Sequence, residues 1–166
     1  MAHDARAIAN FFLDCAIERQ LELTSLSLLK LLYFAHAWHL AKYNSPLAGQ
    51  PFEAWKHGPV NRVVYDQTKR FGRNPIKTHL KRFDPKSCEY VDAKTNLTDE
   101  EVIFLTDIFR FYSKFSATEL SELSHETDGP WDKVWKAAQK EAVPGMFIPD
   151  DMIKSWIQKN RGEEVQ

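Results

Sequence analysis

The sequence predicts a mainly α-helical fold, a compact domain of about six to seven helices around a buried central helix, with room for one small β-hairpin. Apolar residues recur at helical spacing through much of the chain. Helix-capping side chains precede several of these stretches. The 166 residues, 43% of them apolar, are enough to bury roughly 70% of the unfolded surface without disulfides or metal. We therefore expect a single domain over residues 1–166.

The first two helices have the clearest apolar patterns. In the first, over residues 4–20, one stripe follows the i, i+3, i+4, i+7, i+8 spacing: Ile8, Phe11, Phe12, Cys15 and Ala16. The second begins at Thr24 or Ser25, which are good N-cap types, and ends near Tyr43. Its apolar residues cover almost every face, and such a helix is central and buried.

The middle of the chain mixes loops with short elements. Residues 46–51 hold three helix breakers, so we expect an ordered loop followed by a short extended piece over residues 52–55. A third helix is predicted from Pro59 to about Phe71, closed by Gly72. The turn residues at 84–87 favour a short hairpin.

Four helix starts are predicted after residue 97. Thr98 with Glu101 and Ser116 with Glu119 have the spacing of capping boxes. Another helix opens at the Gly-Pro of positions 129–130, and the last covers residues 149–160.

The charge distribution tells more than the net charge of −1. Residues 56–86 hold nine Lys or Arg and two acids, a net +7, which leaves −8 on the rest of the chain. A solvated helix face, a surface for an acidic protein partner and a nucleic-acid contact remain open interpretations of this basic stretch. The two cysteines, Cys15 and Cys88, are interpreted as free thiols. With neither a signal peptide nor a membrane span, we expect a cytoplasmic protein without membrane contacts.

The sequence contains no recognised catalytic or metal-binding motif. His36 and His39 are spaced i, i+3 in "HAWH", whereas the helical zinc motif is HExxH, so we interpret them as histidines that pack at a helix end. The chain has no P-loop, GxGxxG, GxSxG or CxxC pattern. We predict that the protein is not an enzyme and that it uses no metal or other cofactor.

One segment, "EAWKHGPVNRVVYD" at positions 53–66, invites a specific question because helix starts attract anions. A second Gly-Pro occurs in "DGPWDKVWKA", and proline lacks the N–H that an anion would need. We therefore interpret Gly-Pro as a helix-starting device at both places. The residues around the first one favour a basic, aromatic surface for a protein partner: Trp55, Lys56, His57, Asn61, Arg62, Tyr65 and Lys69.

Three segments together resemble the Panacea antitoxin domain family, which includes phage-associated GepA-like and SocA-like proteins. They are K-L-L-Y-F-A, then E-A-W-x-x-G-P-V-x-x-x-x-Y, then L-S-x-L-S-H-x-x-x-G-P-W, in this order over residues 28–138. The resemblance implies an antitoxin that neutralises a cognate toxin by direct protein–protein binding. It leaves open a proteolytic adaptor that delivers the toxin to the ClpXP protease. A basic helical nucleic-acid-binding protein is the alternative from another class, and the family brings no catalytic residues.

Overall fold

The structure is a computed structural model that describes residues 2–161, and helices dominate this part of the chain, as the sequence predicts. Two 3₁₀ turns, Lys69–Phe71 and Pro144–Met146, accompany the α-helices. The helices are α1 (Ala5–Glu18), α2 (Ser25–Tyr43), α3 (Arg62–Thr68), α4 (Asp99–Tyr112), α5 (Ala117–Ser124), α6 (Pro130–Lys140) and α7 (Asp150–Arg161).

Five short strands form two antiparallel units. They are β1 (Phe52–Trp55), β2 (Gly58–Asn61), β3 (Lys81–Asp84), β4 (Glu89–Asp92) and β5 (Phe147–Ile148). One sheet has the order β2-β1-β5, and the other is the β3-β4 hairpin. The predicted turn at residues 84–87 joins β3 to β4, and the predicted extended piece is β1, so both predictions are confirmed.

Helix α2 is the centre of the fold, as its apolar pattern predicts. It packs against α1, α3, α4, α5 and α7. Thr24 caps its first turn by accepting from the Ser27 amide, and Asn44 ends it in the left-handed region at φ 54°. Its buried side chains include a lysine, Lys30, which the sequence alone did not set apart.

The capping boxes predicted for α4 and α5 are both present. Thr98 accepts from the Glu101 amide while the Glu101 carboxylate accepts from the Thr98 amide, and Ser116 with Glu119 repeats this arrangement. Helix α6 begins at Pro130, which confirms the second Gly-Pro as a helix start.

The predicted helix start at Pro59 is wrong. Gly58 and Pro59 lie in β2, opposite Trp55 and Ala54 of β1, and α3 begins three residues later, at Arg62. A proline without an N–H, with φ fixed near −65°, suits an edge strand as well as a first helical turn. The neighbouring β1 provides the strand partner that decides between them.

The two histidines of α2 pack in the interior. The His36 Nε2–H donates to Asp150 Oδ1 at 2.8 Å, while its Nδ1 accepts from the Ala48 amide. The His39 Nδ1–H donates to the Ser45 carbonyl at 2.7 Å. Within residues 2–161 no group of three His, Cys, Asp or Glu side chains is placed to hold a metal ion, and no described helix could span a membrane. Cys15 is buried and Cys88 exposed, and both are free thiols.

Candidate protein-binding site

The turn between β1 and β2 presents two of the predicted site residues. Lys56 and His57 form the two-residue connection between β1 and β2, and both side chains are exposed. Gly58, which follows them, has φ +110°, a conformation that side-chain-bearing residues rarely adopt. The Gly58 conformation therefore fixes the direction in which the turn leaves the sheet.

Three side chains from three helices hold this turn from the protein side. Trp131 Nε1–H of α6 donates to the Trp55 carbonyl at 2.7 Å, and Ser121 Oγ–H of α5 donates to the His57 carbonyl at 2.9 Å. Lys30 Nζ of α2 donates to the Pro59 carbonyl at 2.8 Å. The carbonyls of every second residue, Trp55, His57 and Pro59, are thus fixed by groups outside the hairpin. The result is a preorganised turn.

Lys30 is the unusual member of this set because its side chain is fully buried. Burial lowers the pKa of Lys30 from 10.5 to about 7, since a charged ammonium is disfavoured away from water. Gly58 lies directly against it: a Cβ at position 58 would come within 2.8 Å of Lys30 Cε and 2.7 Å of Ser124 Oγ. No side chain larger than hydrogen fits there without movement.

His125 completes the interior side of the turn. Its ring packs on Trp131 at 4.0 Å between centroids. Its Nε2 atom is buried and has no hydrogen-bond partner in the part of the chain that the structure describes. Burial lowers the pKa of His125, and the positive charges of Lys30 and His57 lower it further.

The outer side carries an aromatic and cationic face. Trp55 packs edge-to-face on Tyr65 at 4.8 Å between centroids, and the Arg62 guanidinium lies 5.2 Å from the Trp55 ring. Arg62 also makes a two-bond ion pair with the buried Glu53, at 3.0 and 3.2 Å, and this pair raises the pKa of Arg62. Lys69 Nζ lies 5.9 Å from the Tyr65 ring and pairs with Asp66.

Six of the seven predicted site residues therefore lie on neighbouring surface positions. We call Trp55, Lys56, His57, Arg62, Tyr65 and Lys69 the turn face. The seventh, Asn61, lies elsewhere: it is fully buried, and its Nδ2 donates to the carbonyls of Gln50 and Pro51. Asn61 holds the loop before β1 and presents nothing to solvent.

Comparison with known proteins places the chain in a family. The family model described as "Antitoxin SocA-like, Panacea domain" matches residues 28–132. The chain belongs to this family. Antitoxin SocA of Caulobacter vibrioides (strain NA1000 / CB15N) is 33% identical over 151 residues, which cover 91% of this chain and 80% of that protein. No solved structure shows a significant match.

The three segments that carry the Panacea resemblance meet at the turn. Lys30 comes from the first, Trp55, Gly58 and Pro59 from the second, and Ser121, His125 and Trp131 from the third. Sequence reasoning did not assign Lys30, Ser121 or Trp131 to the site. Their presence in the motif segments was the available signal, since segments far apart in sequence and specific only in combination are expected to meet in space.

Folding neutralises part of the positive charge of the basic stretch, residues 56–86, through ion pairs. Four of its nine cations form ion pairs with carboxylates in the described residues. The pairs are Arg62–Glu53, Lys69–Asp66, Lys77–Glu22 and Lys81–Asp92. Three of these four acids lie outside residues 56–86, so folding brings the acidic flanks onto the basic middle.

Proposed function

We propose that this protein is an antitoxin that neutralises its cognate toxin by direct protein–protein binding through the turn face. The observation that carries the proposal is the set of three hydrogen bonds from α2, α5 and α6 to the carbonyls of the turn. They order the backbone before a partner arrives, so less conformational entropy is lost on binding. Membership of the antitoxin family supplies the class of partner.

The chemistry of the turn face suits a protein partner. Residues that dominate binding energy at interfaces are most often Trp, Tyr and Arg, and Trp55, Tyr65 and Arg62 already contact one another there. The exposed cations Lys56 and Lys69 at its margin would steer an acidic partner toward it.

Delivery of the bound toxin to the ClpXP protease is the finer alternative, and it begins with the same binding step. The two modes differ in the fate of the toxin. If the antitoxin acts by occlusion alone, deleting the protease leaves the half-life of the toxin unchanged. If it acts by delivery, deleting the protease makes the toxin accumulate. The ion pairs across the basic stretch disfavour nucleic acid as the partner, because paired cations release fewer counterions on binding a phosphate backbone.

Lys56→Glu combined with Lys69→Glu tests the proposal. Both side chains are exposed, so we expect thermal unfolding to be unchanged. Binding to the product of the neighbouring gene, the candidate toxin, should weaken about tenfold or more, a loss of roughly 1.4 kcal/mol in binding free energy. Affinity is measured by calorimetry on the co-expressed and separated proteins, and neutralisation by growth rescue. Arg62 is left in place because its removal would strand the buried Glu53 carboxylate.

Lys114→Glu with Lys140→Glu is the matched control, since it reverses two exposed cations, one just after α4 and one at the end of α6. It should bind like the unmodified protein. Equal affinities for both double variants would show that the partner uses another surface. A neighbouring product that is neither toxic nor bound would remove the proposal itself.

A further inference from the structure

The β3–β4 hairpin has an open edge. The Ala93 amide donates to the Leu80 carbonyl at 2.9 Å, and Lys81 pairs with Asp92. Since hydrogen-bonded residues alternate in an antiparallel ladder, Arg82 and Asp84 bond to β4, whereas the N–H and C=O of Lys81 and Phe83 point away from it. The outer side of β3 is therefore a potential pairing edge.

Part of this edge is already used in the way that a neighbouring strand would use it. The Gln67 side chain of α3 accepts from the Lys81 amide at 2.7 Å and donates to the Lys81 carbonyl at 2.6 Å. One amide group thus satisfies both backbone groups of one residue. At Phe83, the next outward position, no described residue forms the equivalent pair of bonds.

The same position carries an exposed aromatic pair. Phe83 and Tyr90 are direct cross-strand partners, with ring centroids 5.5 Å apart, and they are 49% and 73% exposed. Large aromatic side chains left in water are the usual anchors of a protein interface. The free backbone groups belong to Phe83 itself, and Tyr90 lies one strand further from that edge.

The turn face is too small to be the whole interface. A standard interface uses about 20–30 residues on each side, and the turn face has six. Helix α3 connects it to the hairpin, because α3 carries Arg62 and Tyr65 of the turn face as well as Gln67. A groove of about 380 Å³ lies between α3 and β3, lined by residues that include Asp66, Arg70 and Leu80.

We propose that an extended segment of the toxin adds as a strand to the outer edge of β3 at Phe83, with the Phe83 and Tyr90 rings as side-chain anchors. This inference rests on the proposed antitoxin function and extends the turn face across α3. Arg70 and Lys86 form no ion pair with a carboxylate within 4 Å among the described residues, so acidic side chains on the added segment would find partners there. Backbone pairing would supply affinity, and the rings and cations would supply specificity.

Proline substitution tests backbone pairing directly. Phe83→Pro removes an N–H that points outward, so the β3–β4 ladder keeps its bonds. Phe83→Ala removes the same ring but keeps the N–H. We expect Phe83→Ala to weaken binding of the neighbouring gene's product about tenfold, and Phe83→Pro to weaken it at least tenfold further, measured by calorimetry.

The opposite edge of the hairpin provides the matched control. Tyr90 also sits at a position whose N–H points outward, but on β4. Tyr90→Pro should therefore bind within about twofold of Tyr90→Ala. Circular dichroism establishes that each variant is folded. As a second measurement, hydrogen exchange at the Phe83 amide of the unmodified protein should slow at least tenfold in the complex.

Equal affinities for Phe83→Pro and Phe83→Ala, or an unchanged exchange rate at Phe83, would overturn strand addition while leaving the antitoxin function standing. If the unmodified protein does not bind the product of the neighbouring gene, both strand addition and the antitoxin function are overturned. A homodimer seen by light scattering that Phe83→Pro dissociates would assign the edge to a second copy of this chain. Binding of single-stranded oligonucleotides that requires Phe83 and Tyr90 would assign it to nucleic acid. Either result would also overturn the proposal.

Discussion

Gly58→Ala is expected to lower the free energy of unfolding by about 3 kcal/mol or more. The residue has φ +110°, and holding a side-chain-bearing residue in such a region costs on the order of 1–3 kcal/mol. The new methyl would also meet Ser124 Oγ at 2.7 Å and Lys30 Cε at 2.8 Å, and overpacking of this kind costs roughly 1–3 kcal/mol more. Urea denaturation at neutral pH measures the change.

Gly72→Ala separates backbone strain from crowding. Gly72 also has a positive φ, +56°, but a Cβ there would have no atom within 4 Å. With φ 56° and ψ −121° its backbone lies outside the left-handed helical region, in a conformation that favours glycine, so we expect a cost on the order of 1–3 kcal/mol from backbone strain alone. If the two variants lose equal stability, the close approach of Gly58 to Lys30 does not constrain the turn. Toxin binding should fall in Gly58→Ala, and not in Gly72→Ala, at a temperature where both are folded.

The helices could be predicted because their local signals agree with their surroundings. In α4 the capping box of Thr98 and Glu101, the acids of the first turn and the apolar stripe all indicate the same helix. In α2 the Thr24 cap and the all-round apolar pattern together predict a buried central helix. Such information lies within a few residues of the element that it specifies.

The Gly58-Pro59 pair shows where local information ends. The same two residue types begin α6 at Gly129-Pro130 and begin β2 here. What distinguishes them is distant in sequence: β1 pairs alongside, and Lys30, some thirty residues earlier, bonds the Pro59 carbonyl. A dipeptide pattern contains neither fact.

The candidate site follows the same rule: the residues close together in sequence were predicted, and those fixed by distant contacts were not. The exposed, adjacent members of the turn face follow from one segment, 53–66, with Lys69 a single helical turn beyond it. Asn61 was misplaced because sequence does not tell which way a short strand faces, and its side chain turns inward to Gln50 and Pro51. Lys30 was missed because a lone lysine in an apolar helix is normally expected to reach solvent.

Lys30 also gives the protein a dependence on pH that one substitution should remove. Its pKa is about 7 in the folded protein and near the ordinary 10.5 in the unfolded chain. Between these values the unfolded state holds more protons on this group, so its contribution makes stability rise with pH from about 7 to 10.5. Below pH 7 the ammonium is charged in both states and its burial penalty is fully present.

We therefore expect the free energy of unfolding of the unmodified protein, taken relative to Lys30→Met, to increase from pH 6 to pH 10. The increase should be on the order of 4 kcal/mol, since each unit of pKa corresponds to about 1.4 kcal/mol. Methionine keeps the length of the side chain and removes its charge. Lys140→Met, at an exposed position, keeps Lys30, so the free energy of unfolding of the unmodified protein relative to Lys140→Met should stay constant in urea denaturation across the same pH series. Parallel stability curves for the unmodified protein and Lys30→Met would mean that Lys30 is not buried as an ionisable amine. The explanation of the turn as held by that amine would then have to be abandoned.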